Sequence, residues 1–69
     1  MSFAVRLYIE TACEEDGRWI AEAVDVPGAL AYGGTEDEAK ANAYALALRV
    51  IAKQVEESKK FPNSISVAQ

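Results

Sequence analysis

From Phe3 to Thr11 the chain alternates: Phe3, Val5, Leu7 and Ile9 fall on one side, and Ala4, Arg6, Tyr8 and Glu10 on the other. A period of two with β-branched and aromatic residues predicts a half-buried β-strand. Glu14-Glu15-Asp16-Gly17 predicts a turn, since Asp-Gly accommodates positive φ. A second strand follows from about Arg18 to Val24, with Trp19, Ala21 and Ala23 on one side and Ile20, Glu22 and Val24 on the other. Neither of those sides is purely polar. The two strands should pair as an antiparallel hairpin. Pro27-Gly28 breaks the pattern, a short third strand runs from about Ala29 to Tyr32, and Gly33-Gly34 breaks it again.

Thr35-Glu36-Asp37-Glu38 is a capping box: the Thr35 hydroxyl can accept from the Glu38 amide while the Glu38 carboxylate reaches back. The following stretch, free of Gly and Pro to about Ser58, predicts one long helix. At about 100° per residue, Ala39, Ala43, Leu46, Ala47 and Val50 form one apolar stripe, and Tyr44, Leu48, Ile51 and Val55 form a second beside it. Packing on one sheet face needs a sector only somewhat wider than 100°. The alanine stripe suits a closely approaching sheet; the bulkier stripe, Tyr44, Leu48, Ile51 and Val55, is the candidate self-association surface, the alternative being that both stripes are used within the monomer. Phe61-Pro62-Asn63 turns the chain, and Ser64 to Ala68 reads as a last short strand with Ile65 and Val67 on one face. The expected fold class is α+β: a two-layer β-β-β-α-β domain over residues 1–69, an antiparallel sheet packed against one long helix.

Size and charge narrow the function. A 69-residue domain buries only about 60% of its unfolded surface. Chains this small often add disulfides, a metal or a second subunit. One cysteine (Cys13) and no histidine leave the subunit as the expected supplement, hence a homo-oligomer. The net charge of −4 hides an asymmetry. Residues 1–38 carry nine acids and two bases, a net of −7, whereas residues 39–69 carry five bases and two acids, a net of +3. Helix-dipole complementarity accounts for part of this, with Glu36, Asp37 and Glu38 at the helix start and Lys59 and Lys60 past its end. An acidic face for a basic partner accounts for it equally well.

Several chemistries find no support. An acidic chain suits a phosphate backbone poorly, so direct DNA binding by this chain alone is not expected. Without His, Ser, Thr and Cys13 lack the usual activating base. Glu10, Glu22 and Asp25 lie on neighbouring strands but follow no metal-ligand spacing. Gly33-Gly34 is no dinucleotide fingerprint, and the acids behind it would repel phosphate. No cofactor, metal or catalytic role is expected. No stretch approaches ~20 apolar residues, so neither a membrane span nor a signal peptide is expected, and the compartment is expected to be cytoplasmic. Trp19 remains open between core residue and interface anchor.

The motif series carries a resemblance. Glu14-Glu15-Asp16-Gly17-Arg18-Trp19-Ile20-Ala21-Glu22, then Asp25-Val26-Pro27-Gly28, then Gly33-Gly34-Thr35 with Glu38-Ala39 and Asn42-Ala43, resembles the HicB family of antitoxins. That family's pattern is roughly E-D-G-x-aromatic-x-A, P-D-L-P-G and G-(D/E)-T-x-x-E-A ahead of a long helix. The similarity spans about Phe3 to Glu57; Val24 and Gly34 depart from the pattern. It implies a β-β-β-α-β fold of partial RNase H-like type that dimerises or assembles further. It also implies that the chain neutralises a HicA-type toxin, a small basic ribonuclease, by covering it. Many family members continue into a DNA-binding domain, and residues 58–69 hold nothing that could be one. Glu14, Glu15, Asp16 and Trp19 are the expected toxin contacts. The alternative is an orphan of the same fold, a small structural or regulatory oligomer without a toxin.

Overall fold

The strand expected from the first alternation forms over Phe3–Cys13 (β1), antiparallel to Trp19–Ala23 (β2), which pairs antiparallel with Leu30–Gly33 (β3). A helix over Glu36–Ser58 (α1) and a last strand over Pro62–Ala68 (β4) complete the order. The computed structural model describes residues 3–68, and side chains for residues 4–67 of these. Met1, Ser2 and Gln69 of the expected single domain thus lie outside the described residues, as does the Phe3 side chain of the first strand's apolar side. Among the described residues no helix is long and apolar enough to cross a membrane.

The sheet order is β3-β2-β1-β4, and here the expectation of an antiparallel sheet is corrected: β4 runs parallel to β1. The reason is the number of reversals. Two hairpins leave β3 running in the direction of β1, α1 carries the chain back along the sheet, and β4 must then run as β1 does. The α+β class, with four strands and one helix among the described residues, stands with a mixed sheet.

Between β2 and β3 the chain makes two successive turns. The Val26 amide donates to the Ala23 carbonyl and the Ala29 amide to the Val26 carbonyl, both at 3.1 Å. Pro27 followed by Gly28 at φ 84° is the signature of a type II turn, where a side chain at the second central position would be strained. These turns end β2 at Ala23, one residue short of the expected Val24, and bury Val26 and Ala29.

α1 starts as expected, with the Thr35 hydroxyl accepting from the Glu38 amide at 3.1 Å. The returning Glu38 carboxylate takes the Gly34 amide at 2.8 Å rather than that of Thr35. Glu36 accepts from the Thr11 hydroxyl at 2.7 Å, tying the helix start to β1. At the other end Lys59 adopts a left-handed conformation (φ 60°), and its amide caps the Val55 carbonyl at 2.9 Å.

The core is built largely of small residues. Ala39 and Ala43 of α1 press on Ala21, with Trp19, Ile9 and Ala31 at the margin. Farther along the helix, Ala47 and Ile51 meet Leu7, Ala23, Val26 and Ala29. Alanine on both surfaces lets helix and sheet lie close together, and that approach reaches the backbone itself. A Cβ added at Gly33 would stand 2.5 Å from the Ala39 nitrogen.

Candidate interaction surface

β-strand alternation leaves one sheet face under α1 and the other open. The cross-strand pairs define the open face: Glu10 opposite Glu22, Ala12 opposite Ile20, Ile20 beside Tyr32, and Glu22 beside Leu30. Tyr8, Val24, Leu30 and Tyr32 are 42–46% exposed, large side chains in water on one side of a small domain. Between them sit the two carboxylates. Like charges directly opposite one another in an antiparallel pair are destabilising by a fraction of a kcal/mol. Among the described residues neither Glu10 nor Glu22 has an ion-pair partner. The face therefore combines apolar area with unpaired negative charge, a combination suited to a partner bringing Arg or Lys with apolar surroundings.

One end of this face is closed by the β1–β2 loop. The Gly17 amide donates to the Glu14 carbonyl at 3.0 Å and the Glu14 amide to the Arg18 carbonyl at 2.7 Å. Arg18 leans over the Tyr32 ring, its guanidinium carbon 4.7 Å from the centroid. It also pairs with Asp16 at 2.9 Å and with Glu14 at 3.8 Å. The Asp16 carboxyl is held below its ordinary value, first by the hydrogen bond from the Arg18 amide and further by the Arg18 guanidinium. At the opposite end Arg6 faces Asp25 at 3.7 Å beside an open cleft of about 500 Å³ that also reaches Val5, Val26 and Ile51. Its two charged residues face each other, and Gln54 and Ser66 are the other polar residues that line it.

The expected site residues separate. Glu14, Glu15 and Asp16 are exposed on the loop, with Glu14 and Asp16 already engaged by Arg18. Trp19 lies on the helix-covered face, half-buried against Ala21, Ala39 and Ala43. It packs at the margin of that cluster, on the sheet face opposite Glu10 and Glu22. Glu10 and Glu22 do come together across β1 and β2, while Asp25 turns to Arg6; among the described residues no three His, Cys, Asp or Glu side chains gather as metal ligands.

The second helix stripe also divides. Ile51 is only 8% exposed, in contact with the core, so it belongs to the protomer's interior and is corrected as a self-association residue. Tyr44 and Val55 are half-buried against the same core, whereas Leu48 is 48% exposed. The double turn between β2 and β3 causes this: Val26 and Ala29 rise beside the helix and cover a flank that a flat sheet would leave bare.

Ile20, Val24 and Leu30 were not singled out as site residues by sequence reasoning, although the signal existed. The outer side of the expected second strand, reading Ile20, Glu22 and Val24, is too apolar for a face meant only for water. No protein-family model matches the chain, and neither the curated proteins nor the solved structures give a match.

Proposed function

We propose that this chain is the toxin-binding domain of a HicB-like antitoxin, neutralising a HicA-type basic ribonuclease by stoichiometric contact in the cytoplasm. The observation that carries the reading is the open sheet face, where Glu10 and Glu22 oppose each other amid exposed Tyr8, Val24, Leu30 and Tyr32. The ordered motifs from Glu14 to Ala43 supply the family, and the net −7 of residues 1–38 supplies the electrostatic match.

Inhibition then needs no chemistry from this chain. Long-range attraction between the acidic half and a basic partner accelerates encounter, and the apolar side chains retain the complex. A cation entering between Glu10 and Glu22 relieves their mutual repulsion as it pairs, so binding gains more than one ordinary surface ion pair would provide. The mixed β3-β2-β1-β4 order with a single crossover helix supports the finer reading of the fold as partial RNase H-like.

The test is to mix the purified chain with a HicA-type ribonuclease and follow complex formation and RNA cleavage together. A defined complex with cleavage suppressed in proportion to chain added is expected. Undiminished cleavage with no complex overturns the proposal.

A further inference from the structure

The sheet is staggered along β1. β2 pairs with it only from Ile9 to Cys13, and the hairpin's last bond runs from the Val24 amide to the Tyr8 carbonyl at 3.0 Å. Beyond Val24 the chain bends into the turn whose Val26 amide returns to the Ala23 carbonyl. β4 covers the other edge of β1, from Phe3 to Tyr8. Among the described residues no strand lies beside residues 3–7 on the β2 side. Successive residues of a strand turn their main-chain groups to opposite edges. Tyr8 faces β2, so Ala4 and Arg6 aim their amides and carbonyls the same way, into a notch beneath the turn.

This notch opens into the cleft of about 500 Å³ beside Asp25, where Val5, Val26 and Ile51 supply apolar surface. Its cation is available. Arg18 is engaged by Glu14, Asp16 and the Tyr32 ring. Arg6, with a side chain 72% exposed, has among the described residues one ion pair, from its Nε to Asp25 at 3.7 Å. That is longer than a charge-assisted hydrogen bond of about 2.7–2.9 Å. A guanidinium has further donors beyond Nε, so Arg6 keeps its Nη groups for a second carboxylate.

We propose that the notch is a peptide site: an extended segment of a partner protein adds to β1 below β2, antiparallel, with an acidic residue opposite Arg6 and an apolar one opposite Val5. The unpaired main-chain groups select a peptide, and the register assigns its side chains. The residue opposite Arg6 exchanges both main-chain bonds with it and stands on the open face, where the guanidinium reaches its carboxylate. The next residue points to the helix side, toward Val5, Val26 and Ile51. Residues 3–6 extend over roughly 13 Å at ~3.3 Å each, so the notch holds a short motif rather than a long strand. Preference for an acid is the reverse of what Glu10 and Glu22 select, so the notch does not depend on a basic toxin.

The probe is the peptide acetyl-Ser-Glu-Val-Thr-Val-amide, titrated into the full isotope-labelled chain and followed by amide NMR shifts. Saturable shifts at Ala4, Val5, Arg6 and Val26 are expected, with a dissociation constant on the order of 100 μM. Methylating the Glu nitrogen removes its bond to the Arg6 carbonyl and should weaken binding by about tenfold. Methylating the nitrogen of the following Val, which points away from β1, should change it by less than about threefold. Arg6→Gln, at an exposed position, should cost about tenfold against this peptide and leave the affinity for its Gln-for-Glu analogue unchanged. The absence of saturable shifts up to about 5 mM peptide overturns the proposal. So do equal affinities for the two methylated peptides, or shifts confined to β4 or to Glu10 and Glu22. An Arg6→Gln chain that binds both peptides as the wild type does overturns the pairing of the acid with Arg6. Should that variant misfold, the methylated peptides on the wild-type chain decide alone.

Discussion

Gly33→Ala should be the most damaging single-methyl change available in this protein. The added Cβ would meet the Ala39 nitrogen at 2.5 Å, the Glu38 carbonyl carbon at 2.9 Å and the Ala39 Cα at 3.0 Å. All three are helix backbone, so no side chain can swing aside. Relief requires the first turn of α1 to move off β3, which loosens Ala39 and Ala43 from Ala21 and Trp19. Overpacking a close contact costs about 1–3 kcal/mol, and a rigid backbone neighbour puts this case at the upper end. A core this small supplies about 3–5 kcal/mol, so Gly33→Ala should remove most of the stability. At about 4–8 °C per kcal/mol for a domain of this size, Tm should fall by about 12–24 °C. Gly34→Ala is the matched control. Its Cβ meets only the Glu38 carboxylate oxygen, at an ordinary 3.8 Å, and should change stability by no more than about 0.5–1 kcal/mol, in the stabilising direction. Urea unfolding followed by Trp19 fluorescence measures both. Gly33→Ala within about 0.5 kcal/mol of wild type, or no worse than Gly34→Ala, would refute the close approach of helix and strand.

Three further outcomes test other parts of the account. Ile51→Ala should cost about 2–4 kcal/mol in urea unfolding, whereas Leu48→Ala should stay within about 0.5 kcal/mol; equal effects would contradict the assignment of one to the core and the other to water. Lys59→Gly should stabilise the chain by about 0.5–1 kcal/mol, because glycine adopts the left-handed cap without the Cβ penalty; a lower thermal midpoint would count against that cap. Asp16 should titrate below its ordinary 3.8 by carboxyl NMR. Its folded-state value is depressed, so its contribution to stability is present above pH 3.8 and is lost as pH falls through the lower folded value. Arg18→Ala should raise the Asp16 midpoint only partway, since the residue 18 amide remains; a wild-type midpoint at or above 3.8 would contradict the hydrogen-bonded loop.

Local signals were legible wherever local physics decides the outcome. Alternation marked β1, and Thr35 with Glu38 marked the helix start to the residue. Pro27-Gly28 marked a turn, though not that two turns in series would bury Val26. That burial decides the role of Ile51, and helical periodicity alone carries no information about which flank a neighbouring loop will cover. The direction of β4 likewise follows from counting reversals along the whole chain rather than from Ser64 to Ala68. A run of acids in sequence does not show its own pairing: Glu14 and Asp16 share their short loop with Arg18, which engages them both. Glu10 and Glu22 lie twelve residues apart in sequence, and only the β1–β2 register brings them together.

That opposed pair gives the most direct test of the central claim. Isothermal titration of a HicA-type ribonuclease with the chain, compared with its Glu22→Lys variant, reads the contribution of the open face. In the variant the new ammonium pairs with Glu10, so the fold is kept while the negative charge of the face is cancelled. Wild type should bind one toxin per protomer, and Glu22→Lys should weaken binding by about 100-fold, in line with removal of a charge partner at an interface. Undetectable wild-type binding, or equal affinity for both chains, would contradict the account.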